Sequence, residues 1–369
     1  KTEWYGAIRV MVFVNSEFDP DPMVESLVIP TGNKFSSYRT MSEYEKYSSP
    51  DKGAVGVHLL NQNLLLLNFH LHGTNKYKVP EEEFDKERDH QLGLVRNGLV
   101  SHLGGREQLD KASLVCIGDF NFRVQVSAAP EDCEKGGLNY QKVHQIVDAA
   151  AKVDAGGSSR FKLPPPDTEE EKSASAGEGE AAVLALRALF EGSDRLHCQL
   201  SHTQPAEGAG SVKELRSGFD LCYGLLDGLD EAWRRNTGCA YLPTFTLVPG
   251  QVPRQYGPKR TPSWTDRVLW RGHPHDLLAF ATYPEVVASD HVPVGAVLRL
   301  KYSPEMRVRR PAAVVTQPSN SCSPDSSRSI IDSSNEPEPA VALTVLGVFL
   351  NNFCSCFQAF VQPVNDKDT

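Results

Sequence analysis

Short apolar runs alternate with amphipathic segments along this chain, and the two periods separate strands from helices. Residues 4–14 are rich in β-branched and aromatic types and predict a strand. Residues 63–69 hold four consecutive leucines, a run short enough for a strand covered on both faces. Residues 113–117, 268–270 and 292–300 are runs of the same kind. Between them, residues 138–152 set Val143, Ile146 and Val147 at helical intervals, and residues 181–190 predict a second helix that Gly192 stops. Strands interleaved with helices predict an α/β protein built on at least one large sheet.

Two stretches break the pattern. Residues 154–180 contain Pro164-Pro165-Pro166, Glu169-Glu170-Glu171 and many small polar residues, and read as a disordered surface insertion. Residues 303–339, rich in Ser, Pro and Asn, read as a disordered linker. An apolar C-terminal tail, 340–369, follows. Its opening run ends at Asn351-Asn352, short of the roughly 20 apolar residues that span a bilayer. Val345, Leu346, Phe349, Leu350, Phe353, Phe357, Phe360 and Val361 fall mostly three or four residues apart, which predicts one apolar face of a helix. That face has two destinations: the rest of the fold, or a membrane surface, with Cys354 and Cys356 available for S-acylation and Arg307-Val308-Arg309-Arg310 adding attraction to anionic lipid.

Charge narrows the class. Across 369 residues, 38 Lys+Arg against 47 Asp+Glu leave a net charge of −9, which argues against bulk binding to nucleic acid. A monomer is expected. Eight cysteines are scattered without a C-x-x-C pair, the usage of reduced thiols in a cytoplasmic protein.

Four segments carry the chemistry: Asn68-Phe69-His70, Gly118-Asp119-Phe120-Asn121-Phe122-Arg123, Pro262-Ser263-Trp264-Thr265-Asp266-Arg267 and Ser289-Asp290-His291-Val292-Pro293-Val294. The first two follow an apolar strand directly and the last two precede one. With antiparallel neighbours, all four would gather on one edge of a sheet. That edge would hold the carboxylates of Asp119, Asp266 and Asp290, the amide of Asn121 and the imidazoles of His70 and His291. Hard oxygen ligands without thiolates suit Mg²⁺. A His paired with an Asp suits proton handling near neutral pH, and guanidinium groups suit phosphate oxygens. Together they describe metal-assisted hydrolysis of a phosphate ester by water.

In order and spacing these segments resemble the signature of the magnesium-dependent inositol polyphosphate 5-phosphatases, members of the exonuclease–endonuclease–phosphatase superfamily. The family's G-D-F-N-x-R stands at 118–123, its P-[AS]-W-x-D-R at 262–267 and its S-D-H-x-P-V at 289–294. Lys52-Gly53-Ala54-Val55-Gly56 resembles its glycine loop. The resemblance implies a deoxyribonuclease-I-like fold, a sandwich of two packed mixed β-sheets flanked by helices, spanning residues 1–302. It implies that Asp119, helped by Asn121, orients or deprotonates the attacking water. His291, oriented by Asp266, would contact the scissile phosphate, and His70 would donate to a phosphate oxygen. Asp119, Asn121 and Asp290 would lie at the Mg²⁺. Lys52, Arg123, Lys259, Arg260 and Arg267 would bind substrate, a phosphoinositide or a soluble inositol polyphosphate.

The chain departs from the family in several places, among them Pro258-Lys259-Arg260 for its K-x-R and Arg88-Asp89-His90-Gln91 for its R-N-x-D. It opens at about the strand after the family's metal-binding Glu, so an N-terminally truncated domain is expected. The family's P-T-Y-K reads Pro243-Thr244-Phe245-Thr246. The rival readings are a catalytically dead scaffold of the same fold, and another phosphoesterase of the superfamily, a nuclease or sphingomyelinase.

Overall fold

The computed structural model describes residues 2–5, 8–14, 23–31, 52–73, 81–126, 138–154, 160–162, 178–203, 218–272, 275–301, 340–349 and 355–363. Thirteen strands among these residues form two mixed sheets. One sheet runs in the order β3 (Val24–Pro30), β4 (Gly53–Leu59), β5 (Leu64–His70), β6 (Ser113–Asp119), β9 (Asp266–Arg271), β8 (Leu226–Asp227). The other runs β1 (Thr2–Tyr5), β2 (Ile8–Val14), β13 (Ser355–Pro363), β12 (Ala340–Phe349), β11 (Val294–Lys301), β10 (His275–Thr282), β7 (Arg160–Lys162). This is the expected α/β sandwich.

Each four-leucine or valine-rich run became a strand because it is apolar on both faces. Leu64 and Leu66 pack into the interface between the sheets, together with Ile8, Val10, Val57 and Leu298. Leu65 and Leu67 point the other way, into a second core under α1 (Glu81–Leu103) and α2 (Arg106–Lys111). The predicted helices stand as α3 (Tyr140–Asp154) and α4 (Glu178–Ser193), followed by α5 (Arg195–Thr203) and α6 (Gly228–Arg235). Asp227 caps α6, its carboxylate accepting from the Leu229 backbone N–H at 3.0 Å.

Three expectations need correction. Residues 4–14 are not one strand: β1 and β2 pair antiparallel, Tyr5 opposite Ile8, as a hairpin. Of the insertion read as disordered at 154–180, Arg160–Lys162 is an edge strand beside β10 and α4 begins at Glu178, while 155–159 and 163–177 lie outside the described residues. The C-terminal tail is not a helix. Its two apolar runs are β12 and β13, which pair with each other, with β11 and, in parallel, with β2. In a continuously apolar run, spacings of three and four coexist with alternation, and an open sheet edge on either side decides for strand. The linker at 303–339 lies outside the described residues. Among the described residues, no helix is long and apolar enough to cross a membrane.

Candidate active site

Strand register brings the first three segments together. His70, the last residue of β5, stands opposite Asp119, the last of β6, in a parallel pair. Asp119 in turn stands opposite Asp266, the first residue of β9, in an antiparallel pair. Backbone bonds lace this rim: Leu71 N–H donates to Asp119 O at 2.9 Å and Phe120 N–H to Thr265 O at 2.8 Å. Gly118 permits the close approach. Its φ is +131°, and a Cβ there would lie 2.2 Å from the Phe69 carbonyl oxygen.

The fourth segment arrives from the other sheet, just before β11, so the site straddles two rims rather than one. Phe245 is the lace. It bridges antiparallel to Ser263 on one side and to His291 on the other. Its ring lies 4.6 Å from the His291 ring, with the guanidinium of Arg123 at 4.0 Å and that of Arg260 at 5.5 Å. Trp264 is a core anchor: it is buried, its indole N–H donates to Tyr241 O at 2.9 Å, and it meets Phe190 and Trp233 edge-on.

Asp119 and Asn121 act as one unit. The Asn121 amide Nδ2 donates to Asp119 Oδ2 at 2.6 Å and to Leu71 O at 3.0 Å, and its backbone N–H donates to Asp119 Oδ1 at 3.0 Å. Asn121 holds a left-handed φ of +57°, a conformation Asn tolerates. Arg123 donates to Asn121 Oδ1 at 2.6 Å, and Arg88, buried on α1, donates to Asn121 O at 2.8 Å. Arg123 is thus a buried positioning residue. Arg88 belongs to the same support.

Across the rim, His291 Nδ1 lies 2.9 Å from Asp266 Oδ2 and 3.2 Å from Oδ1. Thr265 donates its hydroxyl to Asp266 Oδ2 at 3.0 Å, and Asp266 N–H donates to Thr244 Oγ1 at 3.3 Å. Burial works against a charged imidazole, but Asp266 outweighs it, with Asp119 and Asp290 adding to the same effect. The His291 pKa is pushed up to about 9. His70 Nε2 accepts from the Lys52 ammonium at 2.5 Å and lies 3.6 Å from Asp119 Oδ2. That bond makes Nε2 an acceptor and leaves the ring hydrogen on Nδ1.

Asp119, Asp266 and His291 place one ligand atom each within 4.8 Å of the others, a group able to hold a metal ion. Two convergent carboxylates beside the Asn121 amide fit a hard divalent cation such as Mg²⁺. Asp290 is not in that group; its carboxylate accepts from the Ser289 hydroxyl at 3.5 Å. Lys259 and Arg260 are exposed, with only Arg260 placed at the Phe245 ring.

Arg267 is the clear correction. It is 1% exposed and turned into the core, where it pairs with Asp194 at 2.8 Å and with Asp227, and donates to Trp264 O at 3.3 Å. Its guanidinium lies over the Phe190 ring at 5.0 Å. No substrate reaches it. Its arginine alternates out of register with the site because it follows Asp266 directly on β9, and successive strand residues face opposite ways.

Among solved structures, the inositol polyphosphate 5-phosphatase domain of SpSynaptojanin, in complex with inositol (1,4)-bisphosphate and calcium ion, is 19% identical, with 74% of this chain and 54% of that chain covered and a TM-score of 0.39. Cimex nitrophorin in its ferrous NO complex is 13% identical, with 75% and 63% covered and a TM-score of 0.35. The chain therefore spans less than two thirds of either. Both likenesses are faint. Residues 234–297, which hold Phe245, Asp266 and His291, match the model of the Endonuclease/Exonuclease/phosphatase family 2.

Proposed function

We propose that this protein is a phosphoesterase that removes the 5-phosphate from phosphoinositides such as phosphatidylinositol 4,5-bisphosphate, or from soluble inositol polyphosphates, with water as nucleophile. One observation carries the reading: an amide-oriented carboxylate, Asp119, faces the hydrogen-bonded His291–Asp266 pair across neighbouring strand ends. The two halves suit opposite tasks. Asp119, both oxygens held by Asn121, is the group to orient the attacking water and take its proton. His291, kept protonated by Asp266, donates from Nε2 to a phosphoryl oxygen as charge builds there.

Lys52 supplies positive charge behind His70, and Arg260 beside Phe245 offers a guanidinium to a second phosphate on the ring. Such local charge concentrates an anionic substrate although the whole chain is acidic. Asp119, Asn121 and Asp266 would hold Mg²⁺, which supplies Lewis-acid polarisation of the phosphoryl group when bound.

The test is release of inorganic phosphate from a panel of inositol phosphates and phosphoinositides, with Mg²⁺ or with chelator, and with DNA as a parallel substrate. Release confined to 5-phosphorylated species and abolished by chelator supports the proposal. Cleavage of DNA in preference, or phosphate release unchanged in Asp119→Asn, overturns it.

A further inference from the structure

A second cluster of metal-capable side chains lies at the opposite end of the same sheet. Gly53 of β4 stands at the active-site rim, opposite His70, and His58 lies five residues further on, about 17 Å of strand away. Glu25 of β3 is directly opposite His58 in the antiparallel register. His102, in the last turn of α1, comes down over both. Its position follows from the helix: Gly98, one turn earlier on the same face, lets α1 approach β3 closely. A Cβ at Gly98 would lie 2.9 Å from Ile29.

One ligand atom from each of Glu25, His58 and His102 lies within 4.8 Å of the others. His58 is buried, His102 partly buried and Glu25 exposed. The Asn63 amide oxygen lies 3.2 Å from His58 Nε2, so Nε2 carries the hydrogen and Nδ1 the lone pair. A fixed tautomer with the far nitrogen tied to an amide oxygen is the usual support of a metal-ligating histidine.

The distances match one ion. His58 Nδ1 lies 3.3 Å from His102 Nε2, and His102 Nε2 lies 3.6 Å from Glu25 Oε2. Two nitrogens bound tetrahedrally to zinc at about 2.05 Å stand about 3.3 Å apart. The two imidazoles already hold that separation, and the exposed carboxylate needs only a small movement.

We propose that Glu25, His58 and His102 form a zinc site with its fourth position open to solvent. Two imidazoles and one carboxylate favour zinc over magnesium. The ion joins edge strand β3, strand β4 and the end of α1, so it stabilises that corner of the fold and stands apart from the phosphoesterase chemistry.

The experiment uses the full chain, stripped with chelator and then titrated with Zn²⁺ and with Co²⁺ as a spectroscopic probe. Wild type is compared with His102→Gln and, since Glu25 is exposed and its replacement leaves the fold intact, with Glu25→Gln. Metal taken up at the Asp119 rim is common to all three and cancels. Wild type is expected to bind one zinc equivalent more than His102→Gln, or to bind it at least tenfold more tightly. It should also show a tetrahedral Co²⁺ absorption and a zinc-dependent rise in Tm that both variants weaken. Equal uptake, equal Tm response and no tetrahedral Co²⁺ signal in all three proteins would overturn the site. The trio would then be a hydrogen-bonded His–His–Glu chain.

Discussion

Replacing Arg267 by Met separates a structural arginine from a substrate-binding one. The side chain sits at 0% exposure between Asp194, also at 0%, and Asp227 at 4%. Burial opposes its charge, but the two carboxylates outweigh that and raise its pKa further. Burial likewise raises the Asp194 pKa, with Arg267 as the main opposing influence. Met fills most of the volume and removes the charge, leaving two buried carboxylates uncompensated. Breaking a buried pair in this way costs about 3–5 kcal/mol. Against a total stability of about 5–15 kcal/mol, that is a large fraction.

The deficit has a pH signature. Without Arg267, protonation is the way left to neutralise Asp194, so its folded-state pKa rises further above the unfolded value. The folded variant then binds more protons than the unfolded chain, and its stability increases as pH falls from 7 towards 5. Urea unfolding at both pH values measures this. Arg267→Met should lose about 3 kcal/mol or more at pH 7 and less at pH 5, and adding Asp194→Asn should recover part of the loss. A variant within about 0.5 kcal/mol of wild type but with collapsed phosphate release would refute the structural role.

Asp119→Ala and His291→Ala should each lower phosphate release by about 10²–10⁴-fold in a chain that still folds, His291→Ala with a lowered urea midpoint because it leaves the buried Asp266 carboxylate unpaired, and the double variant should lose little more activity. Near-wild-type turnover in either would remove that residue from the mechanism. Gly118→Ala should cost about 2 kcal/mol or more, because the new Cβ meets the Phe69 carbonyl at a φ that side chains disfavour; an unchanged melting curve would contradict the strand geometry. Deleting residues 340–369 removes two interior strands and leaves β2 and β11 each with one open edge, so the product should aggregate or fail to fold. A soluble, cooperatively unfolding deletion would show that the sheet closes without them.

The candidate site residues were legible from sequence because their chemistry is local. Asp119-Phe120-Asn121 and Ser289-Asp290-His291 are short, follow or precede apolar runs, and use residue types with few structural reasons to cluster. Helices 138–152 and 181–190 were legible for a similar reason, since apolar spacing along one helix is a property of the segment alone. Tertiary structure decided what depends on distant partners. Arg267 reads as a phosphate ligand beside Asp266, yet strand alternation turns it inward, where Asp194 and Asp227, 73 and 40 residues away, determine its role. Arg88 supports Asn121 across 33 residues, a pairing that no local spacing specifies. The last apolar runs fit a helix by spacing, and became strands because β11 and β2 present edges whose N–H and C=O groups need partners. Side-chain chemistry is carried in the segment, whereas facing, register and pairing are settled only by what the folded chain brings alongside.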